Sequence, residues 1–378
     1  MPAPDKNYRA NPSRAIYIQG RITGEMAYAL TPRINELRLS NSDPITVYID
    51  SLGGSIPFAE SIRCLITTPN QNGEGCHLIT VVTGTAGSAA ADFLALGDYA
   101  IAYRHCEIRY HGSRQYLEYD LTYELASLLA KSLEQTNERF AMRLASRAFR
   151  RFIWRVLQLE EPFLEYRTKD VGLQNLIKAL WENLAPGNRN ILREALAKQR
   201  VIRKLTTSIR EHMQKFKSDT PTSAKEFQAE MLRAIISYKA QVHKDDPWDL
   251  SEDGFREIGV DFKLLNDFYF GSQKKELDRL LSLYGRLFLD SEDLKRFKAL
   301  NEEQQRNVLR EKVAPKMGPL WYFVVSVCRV LQTEEWKLQP AEAYWLGLVD
   351  EVPGSGLPND RELVESLPEK AVDPAADV

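Results

Sequence analysis

The amino-acid sequence predicts an α/β protein whose parallel sheet is followed by a large helical insertion. Up to Tyr110, short runs rich in β-branched and aromatic residues alternate with amphipathic segments. This alternation is typical of parallel strands joined by crossover helices. From Leu121 onward, apolar residues recur at helical spacing over most of the remaining chain. Such spacing indicates helices that pack one face on a core.

The first half of the chain supplies the strands and helices of the predicted sheet. Ala15–Gln19, Ile45–Ile49 and Leu78–Thr83 are predicted strands because they are short, apolar and bounded by turn residues. Thr23–Ser40 is a predicted helix, with four apolar residues at helical spacing. Ile56–Thr67 is predicted to be the next helix. Two further strands, Asp98–Tyr103 and Cys106–Tyr110, complete this part of the sheet.

Two turns at the ends of predicted strands carry the candidate chemistry. Gly53-Gly54 lies between a strand and a helix, where bare backbone N–H groups can bind an anion. The small-residue run Gly84-Thr85-Ala86-Gly87-Ser88-Ala89 joins a strand to a short helix, and Ser88 lies at the joint, a position suited to a nucleophile. Each turn has a plainer interpretation: a tight turn without a ligand, or close packing of a helix on the sheet. Because the carboxyl ends of parallel strands meet at one edge, we expect both turns to face one cleft.

Composition describes an ordinary globular protein and limits the function classes. The chain has 378 residues, 44% hydrophobic and 27% charged, with a net charge of -2. A nearly neutral chain has no global field that would attract nucleic acid or an anionic membrane. The four cysteines show no metal-binding spacing, so we expect reduced thiols, no metal and no cofactor. The polar N-terminus lacks the apolar core of a signal peptide, and no run is long enough to span a membrane, so a cytoplasmic protein is expected.

Several segments of the first part of the chain, taken in order, resemble one known family. They read RAIYIQGRI, ITVYIDSLGGSIPFAESI, VTGTAGSAAADFLALG and EIRYH. Near the other end, QPAEA followed by GLVDEV is similar to the stretch that follows the family's catalytic aspartate. Arg14–His111 thus resembles the proteolytic subunit of the Clp protease, within the ClpP/crotonase superfamily. The resemblance implies a ClpP/crotonase-like core of repeated β-β-α units.

The same resemblance implies a serine-peptidase site. Ser88 would be the nucleophile and His111 its general base. The backbone N–H groups of Gly53 or Gly54 and of Ala89 would form the oxyanion hole. This set agrees with the chemistry of acyl transfer, in which an imidazole takes the serine proton and N–H donors stabilise the oxyanion.

The triad acid implied by the resemblance lies in Thr333–Trp336, at Glu335 or at its neighbour Glu334. The family has an aspartate at this position, and a glutamate is accepted in other triads. The chain also departs from the family pattern at Leu52, where a proline is usual, and at Asp92, an acid among alanines in the elbow helix. After His111 the family's proline and glycine-rich strand are missing.

The domain organisation predicted from these matches has four parts. Residues 1–146 form the first part of the core, and residues 317–355 complete it with the triad acid. Residues 147–316 form an inserted helical subdomain, because capping motifs and periodic apolar faces argue against a loop of that size. Residues 356–378 form an acidic tail that is predicted to be disordered.

Helical segments are predicted throughout the insertion. One follows Asn188 and reaches Ile209, and a capping box at Ser223–Glu226 begins another. Ser272–Phe288, Asp290–Leu300 and Asn301–Val313 are three more. The insertion is expected to gate the cleft or to supply an interface.

An arginine-rich stretch with interleaved aromatic residues precedes the insertion's other helices. It spans Arg143–Arg155 and could bind an acidic partner. The favoured interpretation is that its arginines are solvated or paired with Glu160, Glu161 and Glu165, since such runs are common on helices.

The leading functional hypothesis is a serine endopeptidase of the ClpP type, which hydrolyses peptide or unfolded-protein substrates through an acyl-enzyme. A homo-oligomer is expected. Any ATP would be used by a separate unfoldase, because the chain lacks a G-x-x-x-x-G-K-[ST] motif. Two alternatives remain open: a catalytically weak or inactive oligomeric scaffold whose insertion binds a partner, and an acyl-CoA-processing relative from the crotonase branch.

Overall fold

The computed structural model describes residues 9–69, 73, 75–115, 122–169, 173–197 and 272–359. Contacts between residues divide the chain into two compact units. The first comprises residues 1–193 with 324–378, and the second comprises residues 194–323. The predicted helix through Ile209 ends beyond the described residues, and the predicted capping box at Ser223–Glu226 and most of the acidic tail lie outside them.

The first unit is built on one mixed sheet in which the described strands follow the order β1-β2-β3-β5-β6, while β4 also pairs with β3. All described pairings are parallel except that of β5 with β6. The six strands are β1 (Ala15–Gln19), β2 (Ile45–Ser51), β3 (Leu78–Gly87), β4 (Tyr99–Ala102), β5 (Glu107–Tyr110) and β6 (Trp336–Leu338). The predicted α/β class is therefore confirmed.

Helices connect the strands and extend beyond the sheet. Those of the first unit are α1 (Gly24–Ser40), α2 (Ile56–Thr67), α3 (Ala89–Ala95), α4 (Tyr123–Leu157), α5 (Glu160–Thr168) and α6 (Gln174–Trp181). Those described later in the chain are α7 (Ser272–Tyr284), α8 (Ser291–Lys298), α9 (Glu302–Val308), α10 (Ala314–Leu331) and α11 (Pro340–Trp345). The Thr23 hydroxyl caps α1 by accepting from the Met26 N–H, as its residue type favours.

The glycine-rich run after the third predicted strand is itself a strand. The sequence predicts a strand that ends at Thr83, whereas β3 continues to Gly87. Its last residues pair with β5, with Thr85 opposite Glu107 and Gly87 opposite Arg109. Small residues are compatible with a strand when neighbouring backbones approach closely on both sides. Because β3 ends at Gly87, the next residue, Ser88, begins the turn into α3.

Three arginines of the Arg143–Arg155 stretch are buried, so the interpretation of solvated or Glu-paired side chains is wrong for these three. Helix α4 continues past residue 146, where the first part of the core was predicted to end. Arg150 and Arg151 both donate to the Asp350 carboxylate at 2.7 Å. Arg155 donates to the carbonyls of Tyr344 and Val349, each at 3.0 Å. Buried guanidinium groups need such acceptors, and here the acceptors lie in α11 and in the residues that follow it.

These contacts explain why α4 belongs with the sheet. The sequence places the start of the insertion at residue 147, whereas α4 passes through that position without a break and the contact boundary falls after Arg193. Glu342 of α11 strengthens the same unit by accepting from the Ala185 N–H and from the Asn188 side chain. The first part of the segment assigned to the insertion is thus packed into the first unit.

The described part of the second unit consists of short helices joined by side-chain contacts. The Asn301 side chain and Gln304 form a capping box at the start of α9. Leu309 packs against Gly285, where an added Cβ would lie 2.6 Å from its side chain. Lys312 pairs with Asp293 at 2.5 Å. The helices predicted within Ser272–Phe288, Asp290–Leu300 and Asn301–Val313 are therefore present.

Candidate active site

Ser88 lies at a strained turn between β3 and α3. Its backbone has φ 53° and ψ −127°, and it is the one non-glycine residue with positive φ in the described part of the chain. Side chains rarely adopt this conformation, and such strain concentrates at functional sites. The Ser88 N–H donates to the Arg109 carbonyl of β5 at 2.8 Å, which holds the turn against the next strand. The predicted elbow is thus present in the fold.

Gly53 packs directly against this turn. A Cβ added at Gly53 would lie 2.4 Å from the Gly87 carbonyl oxygen and 2.7 Å from the Ser88 Cβ. Gly53 also has φ +98°, a conformation that side chains disfavour. The two glycine- and serine-containing turns, which the sequence places at neighbouring strand ends, are therefore in contact.

The backbone N–H groups around Ser88 differ in availability. The Gly53 N–H donates to the Ser51 hydroxyl at 3.0 Å. Within the described residues, the N–H groups of Gly54 and Ala89 have no hydrogen-bond acceptor. Unsatisfied N–H groups beside a helix start are suited to an oxyanion. Of the predicted donors, Gly54 and Ala89 are the two that are open in this conformation.

His111 follows β5 immediately, beside the strand that leads to Ser88. Its Nδ1 lies 2.6 Å from the carbonyl oxygen of Gly112. A ring nitrogen that faces a carbonyl must carry the proton, so Nε2 is left as an acceptor. Among the described residues, no hydrogen bond joins the Ser88 hydroxyl to His111. The structure thus brings the two residues to the same edge of the sheet without aligning them.

Glu335 is placed next to His111 by strand pairing. In the antiparallel ladder Tyr110 lies opposite Trp336, so the following residue of β5 and the preceding residue of β6 are His111 and Glu335. The Glu335 carboxylate accepts from Arg114, and this contact lowers the pKa of Glu335, with a smaller effect from His111. Glu335 is 76% exposed, as is typical of a side chain on an open surface. No contact of its neighbour Glu334 with His111 is found among the described residues.

A buried carboxylate that sequence reasoning did not assign to the site lies directly behind Ser88. Asp92, in the first turn of α3, accepts from the Gln332 side chain at 2.9 Å. Burial raises the pKa of Asp92 to about 7, against the smaller lowering effect of the Gln332 hydrogen bond. In the sequence Asp92 is visible only as an acid among alanines, because its hydrogen-bond partner Gln332 lies 240 positions later in the chain.

The described residues contain no cluster of histidine, cysteine and carboxylate side chains that could hold a metal ion. None of the helices described is both long and apolar enough to cross a bilayer.

Comparison with protein families identifies the first part of the chain. A sequence model of the Clp protease family matches residues 5–147. Over these residues the chain is similar to the Clp protease family. The match contains both turns, Ser88 and His111, and it supports a peptidase in general. No curated protein matches the chain.

Proposed function

We propose that the chain is a serine endopeptidase subunit of the ClpP type, with Ser88 as the nucleophile. The observation that carries the proposal is the strained Ser88 backbone at the elbow within the Clp protease domain. A peptide carbonyl bound beside the elbow would be attacked by Ser88 Oγ. His111 would accept the serine proton at Nε2, the nitrogen that its Nδ1 contact leaves unprotonated.

The negative charge that develops on the peptide carbonyl oxygen would be stabilised by the backbone N–H groups of Ala89 and Gly54, with Gly53 as the alternative donor. Each such donor lowers a barrier by roughly 3–4 kcal/mol in other acyl-transfer enzymes. His111 would then protonate the leaving amine, and water would release the acyl-enzyme by the same route.

Glu335 is the proposed triad acid. The register of β5 and β6 supports this choice, and so does the electrostatic effect of His111 on the Glu335 pKa. Its role would be to stabilise the imidazolium form of His111 once Ser88 has lost its proton. Arg114 would have to share or release the carboxylate for that contact to form.

A fluorophosphonate probe tests the assignment, because it reacts with an activated serine and needs no knowledge of the natural substrate. Wild type should be labelled at Ser88, and Ser88→Ala and His111→Gln should not be labelled. Ser282→Ala, which alters an exposed serine of α7, is the matched control and should be labelled like wild type. Equal labelling of wild type and Ser88→Ala would contradict the proposal.

A non-catalytic scaffold is the second candidate, and two observations favour it. Glu335 contacts Arg114, and the Ser88 hydroxyl makes no hydrogen bond to His111 among the described residues. A scaffold would bind peptide or partner without turnover and would leave the probe unreacted. The acyl-CoA alternative predicts binding of CoA thioesters, which a thermal-shift titration would detect.

Assembly into a homo-oligomer is part of the proposal, as is a separate ATP-driven unfoldase. The N-terminal half of α4 supports assembly, because Tyr123 is 84% exposed and Leu128 66% exposed. Large apolar side chains on one helix are candidates for a subunit contact. Light scattering of wild type and of Tyr123→Lys/Leu128→Lys should show a larger particle for wild type, and equal masses would argue against this surface.

A further inference from the structure

Gln332 contacts two parts of the candidate site at once. It is the first residue after α10 and is only 3% exposed. Its side-chain Nε2 donates to the Asp92 carboxylate, four residues after Ser88 in the elbow helix. Its backbone carbonyl lies against Gly112, where an added Cβ would be 2.8 Å from that oxygen. Gln332 therefore joins the nucleophile's helix to the residue after His111.

The Asp92 end of this connection is rigid and close to Ser88. The Asp92 N–H donates to the Ser88 carbonyl at 3.1 Å, and every residue of α3 is buried. A carboxylate is costly in such surroundings unless it is hydrogen-bonded, and an alanine like its neighbours would avoid the cost. The hydrogen bond to Gln332 is the compensation that the described residues provide.

The Gly112 end controls His111. His111 Nδ1 donates to the Gly112 carbonyl, so the position of this peptide group decides which tautomer and orientation the imidazole adopts. Asn137 of α4 holds the following residue by accepting from the Ser113 N–H at 2.8 Å. Gln332 fills the other side of Gly112 and leaves no space for a side chain there.

We propose that Gln332 is a positioning residue for the Ser88–His111 pair, acting through Asp92 on the elbow helix and through Gly112 on the imidazole. The inference rests on the proposed function, and it assigns a role to two residues outside the triad. Gln332 also begins the turn that leads to Glu335, so one side chain links the segments that carry nucleophile, base and acid. Misplacing a reacting group by about 1 Å can reduce a rate about a hundredfold.

Three variants separate positioning from packing. Asp92→Ala removes the acceptor and should lower kcat for a small peptide or ester substrate by about ten- to a hundredfold, with little change in KM. Asp92→Asn keeps an oxygen acceptor for Gln332 and should restore kcat to within a few-fold of wild type. Asp92→Asn/Gln332→Glu exchanges donor and acceptor and should also restore it. Asp278→Asn, on the surface of the second unit, is the matched control.

A second measurement reads the geometry without catalysis. Nitrogen-15 spectra of the histidine side chains, assigned with His111→Gln, should show the Nδ1-protonated tautomer in wild type and in Asp92→Asn. In Asp92→Ala the His111 signal should move towards a mixture of tautomers. An unchanged His111 tautomer in Asp92→Ala would overturn the inference.

The two readouts also distinguish failure of the inference from failure of the proposed function. Wild type that neither reacts with fluorophosphonate nor turns over substrate would overturn the peptidase assignment. The inference about geometry would still stand or fall on the His111 spectra. Active wild type with equal kcat in Asp92→Ala would overturn the positioning role while leaving the peptidase assignment intact.

Discussion

The serine end and the carboxylate end of the candidate site are built in different ways. Ser88 is held by its own backbone, by a hydrogen bond to Arg109 and by a glycine that packs against its Cβ. Glu335 is held by a side-chain contact with Arg114, and both side chains are mostly exposed. The first end can change only if the sheet changes, whereas the second can change by a rotation of side chains. The difference suggests that alignment is decided on the carboxylate side.

Gly53→Ala should have the largest effect, because it disturbs the rigid end. The new Cβ would approach the Gly87 carbonyl and the Ser88 Cβ closer than any normal contact, at a residue with positive φ. We expect fluorophosphonate labelling to slow by about a hundredfold or more and the free energy of unfolding to fall by about 1–3 kcal/mol.

Gly187→Ala is the control for this substitution. A Cβ at Gly187 would have no neighbour within 4 Å, so labelling and stability should stay near wild type. Labelling of Gly53→Ala at the wild-type rate would show that the serine end is less rigid than its packing indicates.

Asp92→Asn should make stability less sensitive to pH. The Asp92 pKa is raised to about 7 in the folded protein from an ordinary 3.8, chiefly by burial, while Glu60 adds to the rise and Arg143 opposes it. The folded state therefore binds this proton more tightly, and wild type loses stability as pH rises from 4 through 7.

Asparagine does not titrate. The difference in the free energy of unfolding between Asp92→Asn and wild type should therefore be about 3 kcal/mol more favourable to the variant at pH 8 than at pH 5. Urea unfolding of both proteins at the two pH values measures it. An advantage that is the same at both values would mean that Asp92 is not buried as described.

Glu335→Gln tests the carboxylate end of the candidate site and should have a moderate effect on kcat. Loss of the negative charge beside His111 should lower kcat by about tenfold or more, since the imidazolium loses its stabiliser. Glu334→Gln is the matched control one residue away and should leave kcat unchanged. If Glu334→Gln has the larger effect, the triad acid is misassigned and the strand register does not continue past Trp336.

The difference between Ser88→Gly and Ser88→Ala should be the smallest effect, and it concerns stability alone. Both Ser88→Gly and Ser88→Ala lack a nucleophile, so the comparison isolates the backbone. Because glycine adopts the Ser88 conformation without strain, Ser88→Gly should be more stable than Ser88→Ala by about 1 kcal/mol. Thermal unfolding measures the difference, and equal melting temperatures would show that the turn stores no strain.

The serine end could be predicted from the sequence because close backbone contact demands small residues. Gly53, Gly54 and the run before Ser88 are visible as a local pattern, and the structure gives each a physical reason. The extent of β3 could not be predicted, since glycines also mark loops, and only pairing with β5 shows that they are in a strand.

The carboxylate end could be predicted only through the family resemblance. Local sequence does not distinguish Glu334 from Glu335, whereas the antiparallel register of β5 and β6 places Glu335 beside His111. The Asp92–Gln332 contact joins residues 240 positions apart, and no local pattern reports such a pair. The buried arginines of α4 were missed for the same reason, because their acceptor Asp350 lies about as far along the chain.

Those arginines have a consequence for biosynthesis. Arg150 and Arg151 are synthesised about 200 residues before Asp350, the carboxylate with which both pair. A nascent chain that has not yet produced Asp350 can offer these two guanidinium groups the carbonyls of Ala95, Gly97 and Asp98, but it lacks the carboxylate that neutralises them. We therefore expect the first unit to close only after the insertion has been translated, and chains that stop short of Asp350 to be degraded faster than the full chain.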